Sequence, residues 1–292
     1  MRRRRFLQIA AAAALVAPGR ALAESRWQGV TLGAEVSIVL RGDQGRADRA
    51  LPRIAALLAA IEAEFSLFAG DSALSRLNAA GRIRPSAAFL ALARAADHVH
   101  SLTNGLFDPT IQPLWRALAE DRPTDAARAA IGWQRVKLQE TEVRLDPGQA
   151  ITFNGIAQGY AADRVRDLLA EAGFTEALVD MGEFAALGGR WSIGIEDPVH
   201  GLLGRRRIDG TALATSSPGA MSVGGMPHIL APDGRAPIWS TVTVEARTAT
   251  LADGLSTALC FLDASAILRL KAREPAIRSV TVISPAGDLS TL

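Results

Sequence analysis

The 292-residue chain is 49% hydrophobic and 21% charged, with 32 Lys and Arg against 30 Asp and Glu. That composition excludes a disordered chain and gives enough apolar residues for one large or two small globular domains. A single cysteine, Cys260, excludes an intrachain disulfide.

Residues 1–23, MRRRRFLQIAAAAALVAPGRALA, hold a basic start, an apolar stretch from Phe6 to Ala17 and a small-x-small end at Ala21 to Ala23. This is the pattern of a cleavable signal peptide, and the apolar run is short of the roughly 20 residues that a membrane span needs. Arg3-Arg4-Arg5-Phe6-Leu7 fits a twin-arginine signal, while four successive arginines also suit an ordinary secretory one; both place the mature protein in the periplasm. Cleavage near Ala23 removes five arginines and no acid, so 32 against 30 becomes 27 against 30, a net charge of −3. The basic balance belongs to the signal, and nothing in the charge supports a nucleic-acid partner. Residues 24–292 are expected to carry the function.

Along the mature chain, GVTLGAEVSIVL at 29–40 reads as a strand and 46–65 as an amphipathic helix. GDSALSRLNAAG, 70–81, predicts a short helix capped by Asp71 and stopped at Gly81, and 86–105 a longer one capped by Ser86 and ended by Gly105. LFDPTIQPLWRAL turns at its two prolines and enters a short helix from Leu114. Strand-like pieces at 135–138, 142–145 and 150–153 lead into a helix that runs to Glu171 and closes at Gly173. EALVDMG, WSIGIED, STVTVEA and SVTVISP read as four more strands around a turn-rich region, 197–237, in which GRRRI at 204–208 reads as a solvated loop. Strand runs mixed with helix runs argue for an α+β fold. Cys260 lies in an apolar helical run, where a buried thiol is expected.

Four stretches carry more polar and glycine punctuation than plain structure needs. In ITFNGIAQGYAADRV, 151–165, a strand delivers Asn154, Gly155 and Gly159 to the start of a helix. Helix-start amides and a bare backbone suit a phosphate; the same glycines also suit tight helix packing. In LADGLSTALC, 251–260, Asp253 and Thr257 share a helix face and present a carboxylate and a hydroxyl, hard donors suited to Mg²⁺. Helix capping by Asp253 and back-bonding by Thr257 is the alternative. Asp108 in GLFDPT either closes a turn or meets a ligand, and His228 in MPHILAPDG is a single histidine among turn residues. The chain has no H-E-x-x-H, G-x-S-x-G, S-x-x-K, Walker loop or G-x-G-x-x-G, which argues against zinc-protease, serine-hydrolase and dinucleotide-fold readings.

Taken in order, EFSLFAGDSALSRLN, GLFDPTIQPLW, ITFNGIAQGYAADRV, ALVDMGEFAALG, DPVHG, LATSS, PHILAPDGRAP and ADGLSTAL resemble the ApbE family, the FAD:protein FMN transferases. The resemblance runs from about Leu32 to about Phe261. It implies an α+β fold with mixed, largely antiparallel sheets, packed helices and two interlocked subdomains. FAD would lie in a cleft and Mg²⁺ at its diphosphate. By position, the metal falls to the Gly155 carbonyl, Asp253 and Thr257, and FAD contacts to Leu32, Phe68, Leu106, Phe107, Asp108, Thr152, Gln158 and Ile229. Phe68 stands where the family often has an aromatic that packs on the flavin.

The implied reaction transfers FMN from FAD to a Thr or Ser hydroxyl of an acceptor protein and releases AMP, with Asp253 or His228 as base. This chain departs from the family at Thr152, Gln158 and Ala231, and DMGEF lacks the second glycine of the usual Gly-Gly-Asp. Those changes resemble the branch associated with nitrous oxide reductase maturation, where the acceptor is a flavoprotein of a membrane redox complex. They also keep two alternatives open, a flavin carrier without transfer and an FAD diphosphatase.

Overall fold

The structure, a computed structural model, describes residues 24–292; the expected signal peptide lies outside the described residues. In chain order the elements begin with β1 (Glu24–Thr31), β2 (Ala34–Arg41), α1 (Gln44–Phe65), α2 (Ala73–Ala80), β3 (Arg82–Ile83) and α3 (Ala87–Leu102). There follow α4 (Gln112–Ala119), α5 (Asp125–Ala130), β4 (Lys137–Leu138), β5 (Val143–Arg144), α6 (Ala157–Glu171), β6 (Glu176–Asp180) and β7 (Phe184–Leu187). Next come β8 (Trp191–Asp197), β9 (Gly201–Ile208), β10 (Ala212–Ser216), β11 (Ser222–Val223), β12 (Met226–Pro227) and β13 (Thr241–Ala246). The chain closes with α7 (Ala249–Leu259), α8 (Ala264–Arg273), β14 (Ile277–Ile283) and β15 (Leu289–Thr291). Among the described residues no helix is long and apolar enough to cross a membrane.

The expected α+β class holds. One sheet runs β1-β2-β6-β7-β10-β13-β14-β15, and every strand pairing among the described residues is antiparallel. Alternate residues of its strands enter different clusters. Ala185, Ala212 and Ala214 join the main core with α1, α6 and α7, while Phe184, Ala186 and Leu213 pack on Trp191, Ile193 and Ile208 of the β8–β9 hairpin. The helices therefore cover one face and the hairpin part of the other.

Several boundaries differ from the sequence reading for identifiable reasons. Residues 29–40 are not one strand, because Leu32 at φ +48° and Gly33 at φ +78° make a two-residue turn between β1 and β2. The cap of α2 is Ser72 rather than Asp71; the Ser72 hydroxyl accepts from Ser75 N at 3.0 Å and donates to Ser66 O at 2.6 Å. The helix expected from Leu114 starts at Gln112, with Pro113 in its first turn. Residues 150–153 are extended without joining a sheet. Ile151 N donates to Asn78 Oδ1 at 2.8 Å and Thr152 N to Pro109 O at 2.9 Å, so a side chain and a loop carbonyl take the bonds of a strand. The 204–208 segment is strand, not loop; it lies in β9, which pairs only with β8 and leaves Arg205 and Arg207 exposed.

The backbone leading into α6 is anchored by Phe153. Its ring lies 5.9 Å from that of Phe65, 5.7 Å from Phe89 and 6.5 Å from Trp133, all nearly edge-on. Cys260 is fully buried, which pushes its thiol pKa up.

Candidate active site

The start of α6 crosses α7 at very close range. A Cβ on Gly159 would lie 2.3 Å from Ala249 O and 2.8 Å from the Cβ of Asp253, so only glycine fits there. One turn further along α6, Asp163 fastens the first turn of α7. Its carboxylate accepts from Ala249 N at 2.9 Å, Thr250 N at 2.8 Å and the Thr250 hydroxyl at 2.6 Å.

This crossing places the sequence-predicted metal residues side by side. Asp253 lies inside α7, whose cap is Thr248, so the capping alternative does not hold. Its Oδ2 accepts from Gly159 N at 2.9 Å, and its Oδ1 accepts no hydrogen bond from the described residues. The Thr257 hydroxyl, one turn on, stands 3.0 Å from where a Cβ on Gly155 would be and 3.4 Å from Ser216 Oγ. The packing reading therefore holds for Gly159, while Gly155 faces Thr257. Nothing among the described residues donates to the Gly155 carbonyl or accepts from the Gln158 amide.

Asp253 is 3% exposed and Glu183 7%. Burial pushes Asp253 up to about 7, with Gly159 N–H opposing and the Asp163 charge adding. Burial and then the Asp253 charge push Glu183 well above the usual carboxylate range. No Lys or Arg among the described residues pairs with either. Buried carboxylates without a cation, beside a hydroxyl and an unbonded carbonyl, fit a hard divalent ion. Among the described residues no three or more His, Cys, Asp or Glu side chains converge as a metal cluster.

Of the expected flavin contacts, Phe107 reaches this centre. Phe107 is buried, and its ring lies 3.4 Å from the same Gly155 Cβ position. Phe68 is 85% exposed and leans towards the Leu32–Gly33 turn, its ring 4.0 Å from a Cβ built on Gly33. Leu106 and Asp108 line an open cleft of about 520 Å³ with His100, Arg128 and Asp233. The Gln158 amide lies 3.6 Å from a Cβ built on Gly182, in the turn between β6 and β7. Thr152 is half-buried, its hydroxyl accepting from Asn154 N at 3.1 Å, and Ile229 packs against the main core.

The Asp108 carboxylate is engaged within its own loop region. Oδ1 accepts from Thr110 N at 2.8 Å and from the Thr110 hydroxyl, and Oδ2 from Trp133 N at 3.0 Å. It closes the loop, so the turn reading holds for its carboxylate. His228 directly follows β12, and its Nδ1 donates to Pro218 O at 3.0 Å. Sequence reasoning missed Glu183, Asp163 and Ser216. Asp163, in the AADRV run after Gly159, was legible only as one more charge on a helix.

The fold is that of the flavin transferases: the apo flavinyl transferase ApbE of Pseudomonas stutzeri superposes with a TM-score of 0.81 at 24% identity, covering 94% of this chain and 97% of that one. The ApbE family model matches residues 32–286, and the chain belongs to that family. A protein of Klebsiella pneumoniae (strain 342) named FAD:protein FMN transferase is 32% identical over 145 residues, a match that spans 46% of each chain. One of the same name from Salmonella typhimurium is 28% identical over 272 residues, 80% of this chain and 77% of that one.

Proposed function

We propose that this chain is an exported FAD:protein FMN transferase acting in the periplasm. It transfers FMN from FAD to a Thr or Ser hydroxyl of an acceptor flavoprotein of a membrane redox complex, and releases AMP. The carrying observation is the meeting of Gly155, Asp253 and Thr257 at the α6–α7 crossing, in a chain of this family.

Gly155, Asp253 and Thr257 are the residues that would hold Mg²⁺, which when bound supplies charge neutralisation on the diphosphate. The Gln158 amide, at the positive end of α6, offers a donor for a phosphate oxygen. The exposed Phe68 ring offers a face for the isoalloxazine, and the buried Phe107 ring backs Gly155. The acceptor oxygen bonds to the FMN-side phosphorus, the bond to the AMP phosphate breaks, and the hydroxyl proton passes to Asp253 or His228.

Mature protein, FAD, Mg²⁺ and an acceptor domain should yield AMP and acceptor-bound flavin in equal amounts. Free FMN with AMP and an unlabelled acceptor would show a diphosphatase instead. Bound FAD without AMP would show a carrier.

A further inference from the structure

Glu183 is the residue at this centre that the resemblance leaves without a role. It follows Gly182, at φ +88°, in the turn from β6 to β7. Its Oε2 accepts from Thr215 N at 3.0 Å, and its Oε1 accepts no hydrogen bond from the described residues. Asp253 is built the same way, with one oxygen held by a backbone amide and the other unbonded. The next residue of β10, Ser216, bonds Ser256 Oγ at 2.8 Å and lies 3.4 Å from Thr257 Oγ1. The strand that holds Glu183 therefore also supports the metal-side hydroxyl of α7. Both carboxylates are more than nine-tenths buried, and their charges bear on one another.

A buried carboxylate with a neighbouring carboxylate and no Lys or Arg partner is costly unless a cation joins it. We propose that Glu183 supplies a second carboxylate to the Mg²⁺ site, its unbonded oxygen serving the ion that Gly155, Asp253 and Thr257 would hold. The inference rests on the transferase reading for the identity of that ion. Glu183 thus adds, from the strand side, a second negative charge to the one that Asp253 brings from the helix side.

The test is calorimetric titration of MgCl₂ into the mature protein saturated with FAD, for wild type and Glu183→Gln, beside melting curves in metal-free buffer. Glutamine keeps an acceptor for Thr215 N but removes the charge. Mg²⁺ affinity should fall about tenfold or more in Glu183→Gln, the range expected for a lost metal-site partner, with a metal-free melting temperature equal to wild type or higher. Should Glu183→Gln fail to fold, Glu183→Ala serves in its place. Affinity within about threefold of wild type would overturn the role of Glu183 alone. Absence of Mg²⁺ uptake by the wild type would overturn the metal-dependent reading and this inference with it.

Discussion

The backbone N–H of Gly159 donates to Asp253 Oδ2 at 2.9 Å, joining the first turn of α6 to the middle of α7. One contact thus settles helix packing and the aim of a candidate metal ligand together. Alanine at 159 is favoured by about 1 kcal/mol on helix propensity. A Cβ placed 2.3 Å from the Ala249 carbonyl outweighs that. Gly159→Ala should therefore destabilise the protein by about 2–3 kcal/mol net, read as a lower urea midpoint with the slope unchanged.

Gly155 makes a different demand. A Cβ there would meet Thr257 Oγ1 at 3.0 Å, the movable end of a side chain. Gly155→Ala should cost only about 1 kcal/mol of stability. It should, however, remove most of the melting-temperature rise that Mg²⁺ gives the FAD-bound wild type. A rise equal to that of the wild type would show that Thr257 and Gly155 do not share an ion.

Phe68 is exposed without packing partners in the core, so Phe68→Ala should leave stability within about 0.5 kcal/mol of wild type. If the ring stacks on the flavin, FAD affinity falls about 2- to 10-fold, measured by quenching of flavin fluorescence.

Asp197 gives the fold an acid limit. Burial works against its charge, but the Ser240 and Thr241 hydroxyls, at 2.5 and 2.7 Å, and the amides of Val199 and His200 prevail. They hold the carboxyl below its ordinary value. A carboxyl lowered in the folded state stabilises above its unfolded pKa of about 4, and that stability is lost as pH falls through the folded value. Asp197→Asn should cost about 1–2 kcal/mol at pH 7. The gap to wild type should narrow below about pH 4 in urea titrations.

Much of this fold is legible in the sequence because helix periodicity and capping act locally. Ser86 caps α3, and Gly81 ends α2 at φ +71°. Among the strands that sequence reading lost, β7, β9 and β10 are short or rich in Ala, Gly and Arg. Their residues carry little strand propensity, and what holds them is pairing: β9 with its hairpin partner β8, β7 with β6 and β10, and β10 with the more distant β13. The same distinction governs the site. Asp253 and Thr257 show themselves by helical spacing, whereas Glu183 and Asp163 gain meaning only from Thr215 and Ala249, partners 32 and 86 residues away. Asp108 shows the reverse, a ligand-like residue in sequence whose carboxylate is occupied by Thr110 and Trp133.

The most direct test of the central claim is intact-mass analysis of an acceptor flavoprotein incubated with FAD, Mg²⁺ and either wild type or Asp253→Asn. The wild type should add the mass of one FMN group to the acceptor while AMP accumulates, and Asp253→Asn, still folded, should add none at the same time point. An acceptor left unlabelled by the wild type, or labelled equally by Asp253→Asn, would contradict it.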